Sequence, residues 1–307
     1  NDVYYFASNH DLDHNGTMGL FALDLKTKDI KFLFRHPDVD INRALRGREG
    51  EVIGVVYEAG YPGYYYLNTP EAQEEVQLHK QLRASFKGQE VIIGNYTKDR
   101  SKSTIRTYSD QNPGTFYLFD RDTKKVEFIS SRQPILKPKD MAKVEPFTLE
   151  ARDGLKMYGQ LTLPPGKELK NLPMVVYPHG GPYGAADRWG WENRPQMFAS
   201  RGYLVLQLNF RGSGGYGEDF ADAGNSEWGA KMQDDLTDAT LWAIKQGYAD
   251  KDRICMHGVS YGGYASMHAV VHEPDLYKCT IPDAGIYDIE LQWKKADSFR
   301  GNPKAKK

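Results

Sequence analysis

Short apolar and β-branched segments, separated by turn residues, follow one another through residues 1–133. Segments of this kind predict β-strands. They form three groups at a period of about 40–50 residues: 3–7, 19–24 and 30–34; 52–57, 63–67 and 75–78; 91–94, 115–120 and 125–129. This period is typical of β-propeller blades, with an ordinary meander or sandwich as the alternative. A closed ring takes roughly four to eight blades, so either more blades precede this segment or the sheets form no ring.

The pattern changes after residues 134–146, a charged connector that contains three prolines. Beyond it, residues 147–163 predict a β-hairpin. Apolar runs then alternate with predicted helices, which indicates a parallel sheet covered on both faces. The runs are 174–177, 203–208, 254–256 and 278–281, and the helices are 234–246 and 264–272. The sequence thus predicts propeller blades over residues 1–133, a connector over 134–146 and an α/β domain over 147–307.

The composition is that of a globular protein, with 40% hydrophobic and 26% charged residues. The net charge of −1 gives no reason to expect nucleic acid or an anionic membrane as a partner. No apolar run is long enough to span a membrane. The two cysteines, Cys255 and Cys279, are too few for a disulfide framework and are interpreted as small buried apolar residues. We expect a cytoplasmic protein, with a periplasmic or secreted location as the alternative because no native N terminus is recognisable.

Two segments resemble binding motifs but are interpreted otherwise. Residues 11–16 open like a calcium loop, but Ala22 stands where the bidentate carboxylate belongs, so we predict a hairpin turn instead. Residues 212–217 match G-x-G-x-x-G, but a dinucleotide site needs a helix opening there and an acidic residue after the next strand. The sequence predicts neither. We therefore expect no metal and no cofactor, and we assign Arg211 to an internal salt bridge.

The clearest chemical signal is the pattern G-x-S-x-G over residues 258–262, between a predicted strand and a predicted helix. Side chains two residues before and after the serine would collide with neighbouring elements on so tight a turn, and glycine avoids this. The hydroxyl of Ser260 then projects above the sheet edge, beside a helix N terminus that favours negative charge. The sequence predicts Ser260 as a nucleophile.

Residues 179–182, His-Gly-Gly-Pro, follow the predicted strand 174–177. In an α/β-hydrolase such a loop gives one N–H group to the oxyanion, and the residue after the nucleophile gives the other. We therefore pair Gly181 with Tyr261 as the predicted oxyanion hole. The base follows the serine in this fold, so His179 is not expected to be the base. The histidines interpreted as structural are His179, His257, His268 and His272.

Together these motifs resemble the prolyl oligopeptidase family, and within it the acylaminoacyl and dipeptidyl peptidases. The resemblance covers residues 175–285 and rests on Ser260 and the segments 179–182, 209–217 and 233–236. It implies a serine peptidase in which a β-propeller caps an α/β-hydrolase site and admits oligopeptide substrates. It also implies that Ile286 and Ile289 line a pocket for an uncharged side chain, with plain core packing as the alternative.

The family places its catalytic aspartate and histidine after the serine. Only 47 residues follow Ser260 (307 − 260), no histidine follows His272, and Asp283 is not expected to be the acid. We therefore expect a fragment truncated at both ends, with the catalytic Asp and His outside it. The expected fold is an incomplete α/β-hydrolase preceded by part of a β-propeller. A carboxylesterase on the same fold and a catalytically silent propeller binding module are the alternatives. Assembly into a homo-oligomer is left open.

Overall fold

The computed structural model describes residues 2–10 and 16–295, without the side chains of Ile289, Trp293 and Lys295. The strands are β1 (Val3–Ser8), β2 (Gly19–Asp24), β3 (Ile30–Phe34), β4 (Ile41–Arg46), β5 (Val52–Ala59), β6 (Tyr61–Tyr66), β7 (Glu90–Tyr96), β8 (Lys102–Tyr108), β9 (Thr115–Asp120), β10 (Val126–Ser131), β11 (Lys143–Glu150), β12 (Lys156–Leu163), β13 (Leu172–Val176), β14 (Leu204–Asn209), β15 (Ala249–Val259) and β16 (Cys279–Asp283). The helices are α1 (Gln73–Ser85), α2 (Asn193–Ala199), α3 (Glu218–Asp222), α4 (Lys231–Lys245), α5 (Tyr261–His272) and α6 (Ile289–Lys295).

Three small antiparallel sheets make up the N-terminal region, in the orders β1-β2-β3, β4-β5-β6 and β10-β9-β8-β7. The first two share one apolar core, which includes Leu20 and Ile53. The third packs against α1 around Val91, Ile105 and Phe119. Among the described residues these sheets do not close into a ring.

Three predictions for this region were wrong or incomplete. Residues 75–78, predicted as a strand, lie in helix α1, where Val76, His79 and Leu82 are buried at helical spacing. A four-residue window was too short to separate the two periods. Strands β4 and β8 were not predicted. In β8 the inward positions include Ser103 and Thr107, whose hydroxyls hide the apolar alternation that marks a half-buried strand.

A six-stranded mixed sheet in the order β11-β12-β14-β13-β15-β16 forms the second region. Strands β13 to β16 run parallel, and β12 pairs antiparallel with both β11 and β14. Fully buried Met174, Leu206 and Ile254 fill its centre. The predicted hairpin, parallel strands and two helices are confirmed. Strand β11 begins at Lys143, inside the predicted connector 134–146.

The interpretation of the two cysteines as separate apolar residues was wrong. Cys255 and Cys279 form a disulfide between β15 and β16. Parallel pairing places them directly opposite each other, with Cα atoms 4.7 Å apart. Their separation of 24 residues in the chain gave no sign of this contact.

His79 links the second and third N-terminal sheets and is only 3% exposed. The Tyr66 hydroxyl lies 2.9 Å from its Nδ1, and the Val91 carbonyl oxygen lies 3.3 Å from its Nε2. A carbonyl can only accept, so Nε2 carries the proton and Nδ1 accepts from Tyr66. Burial lowers the pKa of His79 from its ordinary 6.5 to about 4. The folded protein therefore holds this ring neutral.

This burial predicts acid sensitivity. In the unfolded chain this histidine becomes protonated below about pH 6.5, whereas in the folded protein it stays neutral down to about pH 4. Protons therefore favour the unfolded chain in this window, and the free energy of unfolding falls as the pH falls. Compared with His79→Gln, the wild type should lose about 3 kcal/mol more unfolding free energy between these limits, measured by urea denaturation. His10→Gln, at an exposed histidine, is the control and should follow the wild type. Parallel curves for the wild type and His79→Gln would contradict the prediction.

Candidate active site

Ser260 stands alone between the last residue of β15 and the first residue of α5. Its backbone has φ 59° and ψ −120°, a conformation that residues with a Cβ rarely adopt. The N–H of Ser260 donates to the carbonyl oxygen of Asp283 at 2.9 Å, and its carbonyl oxygen accepts from the N–H of Tyr264 at 3.1 Å. The turn is thus held by β16 on one side and by the first turn of α5 on the other.

Glycines around Ser260 allow close backbone contacts that a side chain would prevent. A Cβ on Gly258 would overlap the backbone of Gly262, and one on Gly262 would overlap the carbonyl oxygen of Pro178. A Cβ on Gly263 would lie 2.6 Å from the carbonyl oxygen of Asp283. A side chain on either side of the serine would therefore cause the collisions that the sequence predicts, and the glycines avoid them.

The loop after β13, residues 178–181, lies against this turn. A Cβ added to Gly180 would be 3.5 Å from the Cβ of Ser260 and 3.2 Å from the carbonyl oxygen of Val259. Gly181 has φ +125°, in the region that favours glycine, and precedes Pro182 through a cis bond. The fold therefore brings the Gly181 loop to the same sheet edge as Ser260 and Tyr261. The use of their amides as an oxyanion hole stays a prediction.

The histidines of this region contact groups other than Ser260. His179 contacts the Gly180 carbonyl oxygen and the Ser213 hydroxyl, and His257 Nδ1 lies 2.6 Å from the Ile281 carbonyl oxygen. His268 and His272 stack on each other, with ring centroids 3.8 Å apart. Across residues 2–10 and 16–295, no hydrogen bond joins a histidine to Ser260.

Arg194 is a neighbour of the site that the sequence analysis missed. Its Nη2 lies 2.9 Å from Oδ2 of Asp283, the residue whose carbonyl oxygen holds the Ser260 amide. The Tyr177 hydroxyl beside it raises the pKa of the Arg194 guanidinium. Nothing local in the sequence marks this arginine, because α2 and the end of β16 meet only in the folded chain. The Asp283 carboxylate thus has a cationic partner.

Two carboxyl groups on the segment after Gly181 lie in surroundings that disfavour their ionised form. Burial, together with the nearby Glu192 carboxylate, raises the pKa of Asp187 well above its usual range. Burial also raises the pKa of Glu192, although Gln207 Nε2 donates to its Oε2 at 2.9 Å. These surroundings therefore disfavour ionisation of both Asp187 and Glu192 at once.

The predicted internal salt bridge of Arg211 is confirmed. Its Nη2 lies 2.7 Å from Oδ1 of the fully buried Asp235, and its Nη1 lies 2.9 Å from Oδ2 of Asp153. Hydrogen bonding to Arg211 holds the pKa of the Asp153 carboxyl well below its usual range. A helix does begin after Gly217, contrary to the sequence analysis, but this helix, α3, has only five residues.

The remaining predicted site residues lie beyond β16. Ile286 is half-buried on the loop between β16 and α6, and the side chain of Ile289 is outside the described residues. Residues 11–15 of the calcium-like segment are likewise outside them. In the described part of the chain, no group of three or more His, Cys, Asp or Glu side chains could hold a metal ion. None of the described helices is both long and apolar enough to cross a bilayer.

Crowding at the serine turn generates a prediction for Gly262→Ala in the full-length natural protein. Alanine forms helices better than glycine does, so any loss of stability or of labelling rate reflects overlap of the new Cβ with Pro178. Unfolding free energy should fall by about 1–3 kcal/mol, and labelling of Ser260 by a fluorophosphonate should slow at least about tenfold.

Gly247→Ala is the matched control. Gly247 has φ +75° and open space around it, so this variant should lose about 1 kcal/mol by backbone strain and be labelled at the wild-type rate. Normal labelling of Gly262→Ala would contradict the role given to this contact.

Comparisons with known proteins agree with this architecture. Residues 189–304 match the model of the prolyl oligopeptidase family. The chain is 38% identical over 204 residues to dipeptidyl aminopeptidase BIII of Pseudoxanthomonas mexicana, covering 64% of this chain and 29% of that protein. It is 34% identical over 208 residues to dipeptidyl peptidase family member 6 of Caenorhabditis elegans, covering 61% of this chain and 28% of that protein.

An acylaminoacyl peptidase from Pyrococcus horikoshii has a similar fold, with a TM-score of 0.64, 22% identity, and coverage of 97% of this chain and 46% of the other. The predicted fold class, α/β-hydrolase preceded by part of a propeller, is confirmed. The chain spans less than a third of the length of the two curated relatives. On this match, residues 189–304 of the chain belong to the prolyl oligopeptidase family.

Proposed function

We propose that the chain carries the nucleophile and the oxyanion hole of a serine peptidase that cleaves short peptides by acyl transfer. The observation that carries this proposal is Ser260, at φ 59° on a turn cleared by glycines, with the Gly180 backbone beside its Cβ. The relatives named as dipeptidyl aminopeptidase and dipeptidyl peptidase support peptides as substrates.

In the proposed reaction, Ser260 Oγ attacks the carbonyl carbon of a peptide bond, and a histidine takes the hydroxyl proton. The carbonyl oxygen becomes an oxyanion that accepts hydrogen bonds from the N–H groups of Gly181 and Tyr261. Collapse of this intermediate breaks the C–N bond, and the histidine protonates the leaving amine. Water then hydrolyses the acyl-enzyme by the same steps. The N terminus of α5, directly after Ser260, favours the developing negative charge.

The proposal assigns the histidine and the aspartate that orients it to a segment other than residues 1–307. Two observations support this assignment. The described histidines of the hydrolase part are hydrogen-bonded to other groups or stacked on each other, and the Asp283 carboxylate is paired with Arg194. The proposal also keeps Ile286 and Ile289 as the wall of a pocket for an uncharged side chain, supported so far only by the half-buried position of Ile286. Neither an esterase nor a silent binding module is favoured by the relatives.

Covalent labelling tests the proposal. In the full-length natural protein, a fluorophosphonate should modify Ser260, and Ser260→Ala should abolish labelling and lower peptide turnover about a thousandfold or more. Ser200→Ala, which removes an exposed hydroxyl directly after α2, is the control and should retain both. Labelling elsewhere, or peptide turnover that survives Ser260→Ala, would refute the proposal. Faster turnover of p-nitrophenyl esters with no peptide turnover would favour the esterase.

We also propose an oxidising compartment, the periplasmic or secreted alternative, in place of the expected cytoplasm. The Cys255–Cys279 disulfide supports this proposal, because disulfides persist mainly in oxidising compartments. Protein isolated from its native cells with thiols blocked at lysis should show both cysteines as disulfide-bonded, by mass spectrometry of the peptides that contain them. Alkylation of both cysteines under these conditions would contradict the proposed compartment.

A further inference from the structure

Two strained backbone positions meet at Asp283, the last residue of β16. Ser260 has φ 59°, and Ala284, directly after Asp283, has φ 47°. The carbonyl oxygen of Asp283 accepts the hydrogen bond from the N–H of Ser260 at 2.9 Å. Residues with a Cβ keep such conformations only where their surroundings over-determine them. Whatever fixes Asp283 therefore also helps to hold Ser260 in its unusual conformation.

The backbone of Asp283 is held mainly from one direction. Its pairing with Val259 is the last in the ladder between β15 and β16, and the chain turns away at Ala284. The side chain supplies a second attachment, because Oδ2 of Asp283 lies 2.9 Å from Nη2 of Arg194 on helix α2. The ion pair thus restrains the end of β16 where the ladder stops.

Arg194 also reaches the other side of the strand that leads to Ser260. Its guanidinium hydrogen-bonds the hydroxyl of Tyr177, the buried residue that directly follows β13. The Tyr177 ring stacks on that of His257 in β15, with centroids 5.3 Å apart. A planar guanidinium carries several donors, so one arginine can hold both partners. Since β13 and β16 are the two neighbours of β15 in the sheet, Arg194 joins the ends of both.

The exposure of this pair argues against a role in global stability. The side chains of Arg194 and Asp283 are 42% and 48% exposed. Ion pairs with this exposure contribute little to the free energy of unfolding, because water screens the charges and the side chains lose freedom. The effect of the pair is therefore expected in local geometry at the end of β16.

We propose that Arg194 is a positioning residue that acts through Asp283 to hold Ser260 on its strained turn. This inference rests on the proposed function and deepens it. Attack on a peptide carbonyl needs the nucleophile aligned with the carbonyl carbon, and a small displacement slows the reaction steeply. Without Arg194, the end of β16 relaxes and Ser260 leaves this alignment. The loss falls on the chemical step, because Arg194 does not touch the substrate in this account.

Two variants of the full-length natural protein, Arg194→Met and Asp283→Ala, test the proposal. Each should lower kcat for a peptide substrate about tenfold and change KM less than about twofold, because the nucleophile is displaced while the binding surface is kept. The urea midpoint of Arg194→Met should stay at the wild-type value. Arg201→Met is the matched control. Arg201 follows the same helix, is exposed and donates to the Met197 carbonyl oxygen, so kcat should be unchanged.

The double variant tests whether Arg194 acts through Asp283. If it does, Arg194→Met combined with Asp283→Ala should have the kcat of Asp283→Ala alone, about tenfold below the wild type. Independent effects would multiply to about a hundredfold loss and would overturn the inference. Wild-type kcat in either single variant would overturn it as well.

Hydrogen exchange measures the turn without reference to activity. The N–H of Ser260, bonded to the Asp283 carbonyl oxygen, should exchange about tenfold faster in Arg194→Met and at the wild-type rate in Arg201→Met. Mass spectrometry of peptides that cover residue 260 gives these rates, and unchanged exchange in Arg194→Met would overturn the inference. A wild type that neither turns over peptides nor labels at Ser260 would refute the proposed function, and the exchange rates would still decide whether Arg194 holds the turn.

Discussion

The site depends on one close backbone contact, between the Pro178 carbonyl oxygen and the first turn of α5. Only glycine at position 262 allows it, because any Cβ there would overlap that oxygen. The contact brings the loop after β13 down onto the turn that carries Ser260. It places Gly180 beside the Cβ of Ser260 and Gly181 at the same sheet edge. Parallel strands end at this edge, so one helix N terminus and two loops meet at a single point.

A second layer keeps this arrangement rigid. The loop of residues 210–214 contacts His179 through Phe210 and Ser213 and is anchored through Arg211 to Asp235 and Asp153. Buried ion pairs contribute little net stability, because desolvation offsets most of their attraction. Removing one partner is costly, however, so the network disfavours any loop conformation that separates them. We interpret it as a device that specifies loop geometry.

Local signals made much of this predictable. The glycines around Ser260, the apolar runs of β13 to β16 and the spacing of α4 and α5 each lie within a few residues of sequence. The internal salt bridge of Arg211 was also predicted, once a dinucleotide site at residues 212–217 had been set aside. Features that depend on distant contacts were missed. Cys255 and Cys279 meet only through strand pairing.

Helix α1 was missed for a related reason. Its buried face includes Glu75 and His79, polar residues that look exposed in the sequence. Glu75 is paired with Arg121 and His79 with Tyr66, and both partners lie on strands or loops of neighbouring sheets. The hydrogen bond between His179 and Ser213 likewise joins loops that are more than thirty residues apart. Such contacts follow from the fold and leave no periodic trace in the sequence.

The most direct test of the central claim is a crystal structure of the full-length natural protein with a phosphonate bound covalently to Ser260. The account predicts a phosphonyl oxygen about 2.7–3.1 Å from both the Gly181 and the Tyr261 nitrogen atoms, with the Ser213 hydroxyl still bonded to His179. A phosphonyl oxygen that points to solvent, or a Gly181 amide turned away from it, would contradict the account.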